Sequence, residues 1–205
     1  MPLNRTLRAA VLAASCLFSG AAIAQTPTVP QTATAPRALG SPDAPVEVIE
    51  YASLTCHHCA TFHNEVLAQV KKELIDTGKV RLVYRDFPLD RIALEAAILA
   101  RCVAPERYFP VLSVLFSKQE DWSHGKDPVE ALARIGALAG LSRPAYDACR
   151  ADKALQDSVV QSRLEGEQKH GVESTPSFVI GGKTYKGVLP IDEFKKAVEP
   201  LLPKP

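Results

Sequence analysis

Cys56-His57-His58-Cys59 sets two thiols three positions apart, with an imidazole at each position between them. Thiols at that spacing can open and close a disulfide, and attack on a disulfide requires the thiolate. The place of the motif along the chain matters as much as its spacing. Upstream, Val46-Glu47-Val48-Ile49-Glu50-Tyr51 reads as a largely buried strand. Downstream, Phe62, Val66, Val70 and Leu74 recur at helical spacing until Thr77-Gly78 stops the helix. The first N–H groups of a helix lack internal partners and carry partial positive charge, so a thiolate at Cys56 is stabilised there. Cys56 is the candidate nucleophile, and Cys59, one turn inside the helix, is expected to be shielded.

A strand at Val46 to Tyr51, a helix from about Cys56 to Thr77 and a second strand at Val80 to Phe87 make a βαβ unit. Its crossover is right-handed in almost all proteins, and chemistry gathers at the carboxyl ends of its strands, where Cys56 lies. From about Arg91 to His170 the period is helical throughout. Ile92, Ala96, Leu99 and Val103 form one stripe, and Val129, Leu132, Ile135 and Leu138 another. Asp127-Pro128 and Ser142 with Pro144 mark helix starts, and Gly140 and Gly171 mark stops. Strand character returns at Ser177 to Ile180 and Lys183 to Tyr185, joined by Gly181-Gly182 as a tight hairpin, before a helix from about Ile191 to Leu201.

Thr175-Pro176 stands just before the strand that begins at Ser177. An X-Pro bond taken alone is cis in about 5% of cases, and a trans bond that merely introduces the strand is the plain alternative. A C-x-x-C at a strand-to-helix junction reads as a thioredoxin-like redox motif. With Thr175-Pro176 and the intervening helical block, the chain resembles the DsbA-like branch of the thioredoxin superfamily, which are secreted thiol:disulfide oxidoreductases. The resemblance covers nearly all of the chain beyond its first residues. It implies an α/β architecture, a thioredoxin fold with an inserted all-helical domain: residues 38–90 and 171–205 form the thioredoxin-like part and 91–170 the insertion. It also implies that Pro176 is cis, faces the active disulfide and keeps metal from the thiols. Thr175 would pair its backbone with an extended substrate, a mode that makes little sequence demand. Thr175 is also a residue that isomerase and reductase relatives carry at this place.

His58 matches the family's histidine, whereas His57 stands where the family usually has proline, which frees a backbone N–H and loosens the turn. An imidazole at either position can donate to the Cys56 sulfur, and two solvated histidines are the alternative. Glu50 matches a buried acid that helps the family move protons to and from the inner cysteine. Its alternative is a glutamate on a half-exposed strand, since Glu47 nearby shows that acids are tolerated there. Cys56, Cys59 and His63 have the spacing of zinc ligands, but neither Cys102 nor Cys149 sits in a second C-x-x-C to complete a site, so no metal is expected. Cys102 and Cys149 both fall in the helical block, where a hairpin of helices would bring them together in a structural disulfide. Two separately buried thiols are the alternative.

Compartment is read from the first residues. Arg5 and Arg8 precede a small and apolar run ending in Ala22-Ile23-Ala24, so residues 1–24 are expected to be a secretory signal peptide cleaved before Gln25. The run is short of the roughly 20 apolar residues a transmembrane helix needs. Cys16 as a lipid acceptor is the alternative, disfavoured because the apolar run continues past it. Residues 25–37, rich in Thr, Pro and Ala, are expected to form a flexible tether that cannot serve as a dimerisation stalk, so a monomer is expected. The four remaining cysteines suit an oxidising compartment. Removing Arg5 and Arg8 from 24 basic and 23 acidic residues leaves a charge near minus one, and no basic patch argues for nucleic acid. The expected protein is a periplasmic disulfide oxidase without a cofactor. It would pass the Cys56-Cys59 disulfide to unfolded or reduced exported proteins and be reoxidised by a membrane quinone-linked partner of the DsbB type. A thiol reductase or isomerase, or a secreted metal-binding or chaperone-like module, are the other readings.

Overall fold

Alternation of side chains starts the central strand and then gives way to burial on both faces. In Val46–Ala52 (β2) Glu47 is exposed between Val46 and Val48, but Glu50, Tyr51 and Ala52 are all buried. The carboxyl end of β2 is therefore covered from both sides, and the reactive motif follows it directly. The computed structural model describes residues 28–204, so the signal peptide read at 1–24 lies outside the described residues.

Val80–Asp86 (β3) runs parallel to β2, and Ser177–Ile180 (β4) pairs antiparallel on its other side. Lys183–Lys186 (β5) and Arg37–Leu39 (β1) close the edges, giving the order β1-β3-β2-β4-β5 among the described residues. Gly181 and Gly182 turn β4 into β5 with φ of 57° and 81°. Two successive left-handed residues fit the right-handed twist of a two-residue hairpin, which explains why both are glycine.

Between β2 and β3 the chain makes one long helical run. His57–Thr61 (α1) passes into a π-helical turn at Phe62–Val66, then Leu67–Val70 (α2) and a second π-helical turn at Lys71–Ile75. Between β3 and β4 lie Arg91–Cys102 (α3), Tyr108–Ser117 (α4), Gln119–Ser123 (α5), Pro128–Leu138 (α6), Arg143–Ala151 (α7) and Lys153–His170 (α8). Asp90, Asp127, Ser142 and Asp152 cap α3, α6, α7 and α8, each accepting a backbone N–H three residues on. Ile191–Val198 (α9) follows the hairpin.

The motif helix is anchored in two apolar clusters. Cys59 packs in the cluster built mainly by the helical block, with Leu99, Tyr108, Leu115, Trp122 and Leu132. Phe62 packs in the cluster under the sheet, with Val48, Leu82, Phe178 and Phe194 of α9. The helical block also grips the opposite face of the sheet. A Cβ on Gly166 of α8 would lie 2.8 Å from the Tyr51 ring, so only glycine lets that helix approach β2 so closely.

Two expectations need correction. Part of the stretch expected as a flexible tether is folded: Gln31–Thr34 forms a 3-10 helix, Ala33 is buried, and Arg37 already belongs to β1. The cause is polar and comes from afar. Arg101 donates to the carbonyls of Ala33 at 3.0 Å and Ala35 at 3.3 Å, and Arg37 donates to that of Thr32 at 2.9 Å. Leu138, read as the end of an apolar stripe, is 85% exposed, because α6 buries Leu132, Ala133 and Gly136 and leaves its last turn facing solvent.

Candidate active site

Cys56 is the N-cap of α1, with extended backbone, and its carbonyl accepts the Ala60 N–H at 3.1 Å. The sulfur of this half-buried residue faces the segment before β4, where its S–H donates to the Thr175 carbonyl at 3.3 Å. Thr175-Pro176 is cis. Thr175 is buried, and its hydroxyl is buried without a hydrogen-bond partner. Chain segments far apart in sequence thus meet at one sulfur.

The two thiols are free, and their surroundings push them in opposite directions. The Cys59 thiol, donating to the Cys56 sulfur, lowers the Cys56 pKa to about 5 against the opposing effect of burial; the Thr175 side chain and the backbone N–H groups of Cys59 and His58 add to the fall. Those N–H groups are the unpaired donors of the helix start. Cys59 is fully buried, and burial, then the neighbouring Cys56 sulfur, pushes its thiol well above the ordinary range. One sulfur is an accessible anion and the other a shielded acid, the division of labour that disulfide exchange needs.

His57 and His58 are exposed, their rings edge-on with centroids 6.2 Å apart. His58 acts on Cys56 through its backbone N–H. Glu50 is fully buried on the central strand, opposite Tyr84 of β3 and Phe178 of β4, while Glu47 reaches solvent and pairs with Arg81 at 2.9 Å. The half-exposed alternative for Glu50 is thereby excluded. Glu50 Oε1 meets His63 Nε2 at 2.8 Å, and Glu50 Oε2 is buried without a partner. His63, weighed from its spacing as a zinc ligand, is turned to that carboxylate. Among the described residues no group of three or more His, Cys, Asp or Glu side chains is gathered as a metal site. Cys102 and Cys149 are bonded to each other, linking the last turn of α3 to α7, and take no part in the exchange site.

Gln119 was missed in the sequence. At the start of α5, 4% exposed, it donates through Nε2 to the Leu54 carbonyl at 2.8 Å and the Cys56 carbonyl at 3.1 Å. It holds the loop carrying Cys56 from the helical block. On the loop's other side, Thr55 donates to Asp90 at 2.6 Å, tying it to the cap of α3. A glutamine in a helical stretch carries no spacing signal that would have singled it out.

Comparison with known proteins agrees with this geometry. A family profile described as Thioredoxin matches residues 32–200. A Rickettsia bellii protein carrying the provisional name protein-disulfide oxidoreductase is 33% identical over 145 residues, 70% of this chain. The chain spans only 56% of the length of that relative. Disulfide bond formation protein D of Bacillus subtilis is 25% identical over 165 residues, 78% of this chain and 74% of that protein. The crystal structure of Wolbachia pipientis alpha-DsbA1 superposes with a TM-score of 0.74 at 34% identity, covering 82% of this chain and 90% of that one.

Proposed function

The chain belongs to the thioredoxin family, in its DsbA-like branch, and from that footing we propose that it is a protein thiol:disulfide oxidoreductase acting as a disulfide donor in the periplasm. The observation that carries the reading is the opposed pair of thiols, Cys56 lowered to about 5 and Cys59 pushed up. An anionic Cys56 stabilises the dithiol form, and each pKa unit below ambient pH corresponds to about 30 mV of oxidising power. A sulfur so stabilised also leaves readily.

In the donor reaction a substrate thiolate attacks the Cys56 sulfur of the Cys56-Cys59 disulfide. The S–S bond breaks, Cys59 leaves with the electron pair and takes up a proton, and substrate and Cys56 are joined. A second substrate thiolate then attacks the substrate sulfur of that mixed disulfide and expels the Cys56 thiolate. Two electrons have passed from two substrate thiols to the protein, and the substrate holds a new disulfide. The substrates would be unfolded or reduced exported proteins, their extended backbone laid beside Thr175, where main-chain pairing asks little of their sequence. A membrane quinone-linked partner of the DsbB type would restore the disulfide. The signal peptide read at 1–24 supports export.

The test is the equilibrium reduction potential of Cys56-Cys59 in a glutathione redox buffer, with a Cys102→Ala/Cys149→Ala variant to separate the two pairs. A potential clearly more oxidising than the glutathione couple is expected. A potential near that of thioredoxin, about −270 mV, overturns the donor direction in favour of a reductase. Cys56→Ser is expected to abolish turnover, and a protein that still protects unfolded chains without it acts as a chaperone.

A further inference from the structure

The exchange reaction leaves one requirement unmet by the cysteines themselves. Whenever the Cys56-Cys59 disulfide is opened, Cys59 departs as an anion in a place closed to solvent, with a side chain that is 0% exposed. Burying an unpaired charge is costly, so a proton must reach it from inside. In the interior, one helical turn beyond Cys59, lies an ionisable pair, Glu50 with His63, whose side chains are 0% and 3% exposed.

We propose that His63 is a positioning residue that holds Glu50 and stores a proton with it, so that the pair protonates the Cys59 sulfur as it leaves and recovers the proton when the disulfide re-forms. The inference rests on Cys56-Cys59 exchange as read above, in either direction of electron flow. The arrangement has three parts. His63 lies one helical turn beyond Cys59, in the π-helical turn Phe62–Val66, and such turns are frequent at functional sites. Its ring is clamped, stacked on Phe116 at 4.1 Å between centroids and edge-on to Phe62 and Tyr84 at 5.6 Å and 5.9 Å. Among the described residues its one polar contact is through Nε2, the 2.8 Å bond to Glu50 Oε1, and Glu50 Oε2 is a buried, unpartnered oxygen. Glu50 lies opposite Tyr84 of β3, and Tyr84 packs in the same apolar cluster as Cys59, so the carboxylate faces the interior that holds the Cys59 thiol and helps push that thiol up.

The step balances. The pair with its extra proton is imidazolium with carboxylate or imidazole with carboxylic acid, two placements of one proton at zero net charge. Transfer to the Cys59 thiolate gives a neutral thiol and leaves neutral His63 beside the Glu50 carboxylate, the base that takes the proton back when the disulfide re-forms. Other groups on the elements around it do not compete. Burial holds the Tyr84 and Tyr108 hydroxyls protonated, and Asp86 is neutralised by Arg101 at 2.5 Å. An apolar side chain would fill the aromatic clamp without the desolvation of a buried ionic pair, so packing alone gives no reason for an imidazole here.

The test is the rate of reduction of the Cys56-Cys59 disulfide by dithiothreitol from about pH 5 to about pH 9, divided by the reductant's thiolate fraction. Two variants are compared with the unaltered protein: His63→Gln, which can still donate to Glu50, and His63→Phe, which keeps the stack on Phe116. Melting of each variant verifies its fold. General acid catalysis is worth about 100-fold or more, so both corrected rates are expected to fall away from that of the unaltered protein by at least about 10-fold within this range, giving profiles of a different shape. Profiles parallel to that of the unaltered protein, unchanged or uniformly scaled, overturn the proposal and leave His63 as a packing residue. If one variant fails to fold, the other decides. The reduction potential reads the donor direction separately, so failure of that reading and of this one are told apart.

Discussion

Cys56 concentrates at one sulfur the effects of a helix start, a neighbouring thiol and a chain segment from the other end of the fold. Because its folded pKa lies near 5 and an unfolded cysteine titrates near 9, the folded dithiol protein binds fewer protons than the unfolded one between those values. Stability of the dithiol form therefore rises with pH from about 5 towards 9, and this contribution is lost as pH falls through about 5. The disulfide form has no such thiolate and serves as the reference. Urea midpoints of the two forms are expected to diverge in favour of the dithiol form as pH is raised across that window. Ultraviolet thiolate absorbance of the Cys59→Ala variant, which has no donor there, should titrate above 5, because the hydrogen bond from the Cys59 thiol is the largest of the effects that lower Cys56. A flat difference between the urea midpoints would mean that Cys56 is not held as an anion.

The elements that place this sulfur were legible to different degrees. β2 followed by a helix could be read because alternation gives way to helical spacing at the motif, and β4 because Thr175-Pro176 introduces four buried residues. The 3-10 helix at Gln31–Thr34 and strand β1 could not, since Arg101, far along the chain, supplies the hydrogen bonds that order the carbonyls beside them. The same limit hid Gln119, whose importance lies in two carbonyls that only the fold brings to it. Removing its side chain leaves the Leu54 carbonyl buried without that donor, while the Cys56 carbonyl keeps the Ala60 N–H. Gln119→Ala is accordingly expected to lose about 1–3 kcal/mol in urea denaturation of the disulfide form. A loss confined to a few tenths would show that the loop is held by Thr55 and Asp90 alone.

At the scale of the whole molecule, the chain leaves the sheet after β3, builds the helical block and returns along α8 to β4, so the block and the sheet share one helix. The periodic stripes announced the block, but its docking depends on contacts without period: Gly166 against Tyr51, and Arg101 between Asp86 and the chain's early residues. The Cys102-Cys149 bond secures the long excursion from within, joining α3 to α7 across a separation of 47 residues. A loop of that length constrains the unfolded chain by about 4 kcal/mol in the chain-entropy description. Cys102→Ala/Cys149→Ala is thus expected to lose on that order of stability, measured by urea denaturation with Cys56 and Cys59 kept oxidised. Its rate of exchange at Cys56 should stay near that of the unaltered protein, since Gln119, Thr175 and the Glu50-His63 pair draw their hydrogen bonds from other residues. A variant that kept its stability but lost exchange would reverse that division and tie the second disulfide to the chemistry of the first.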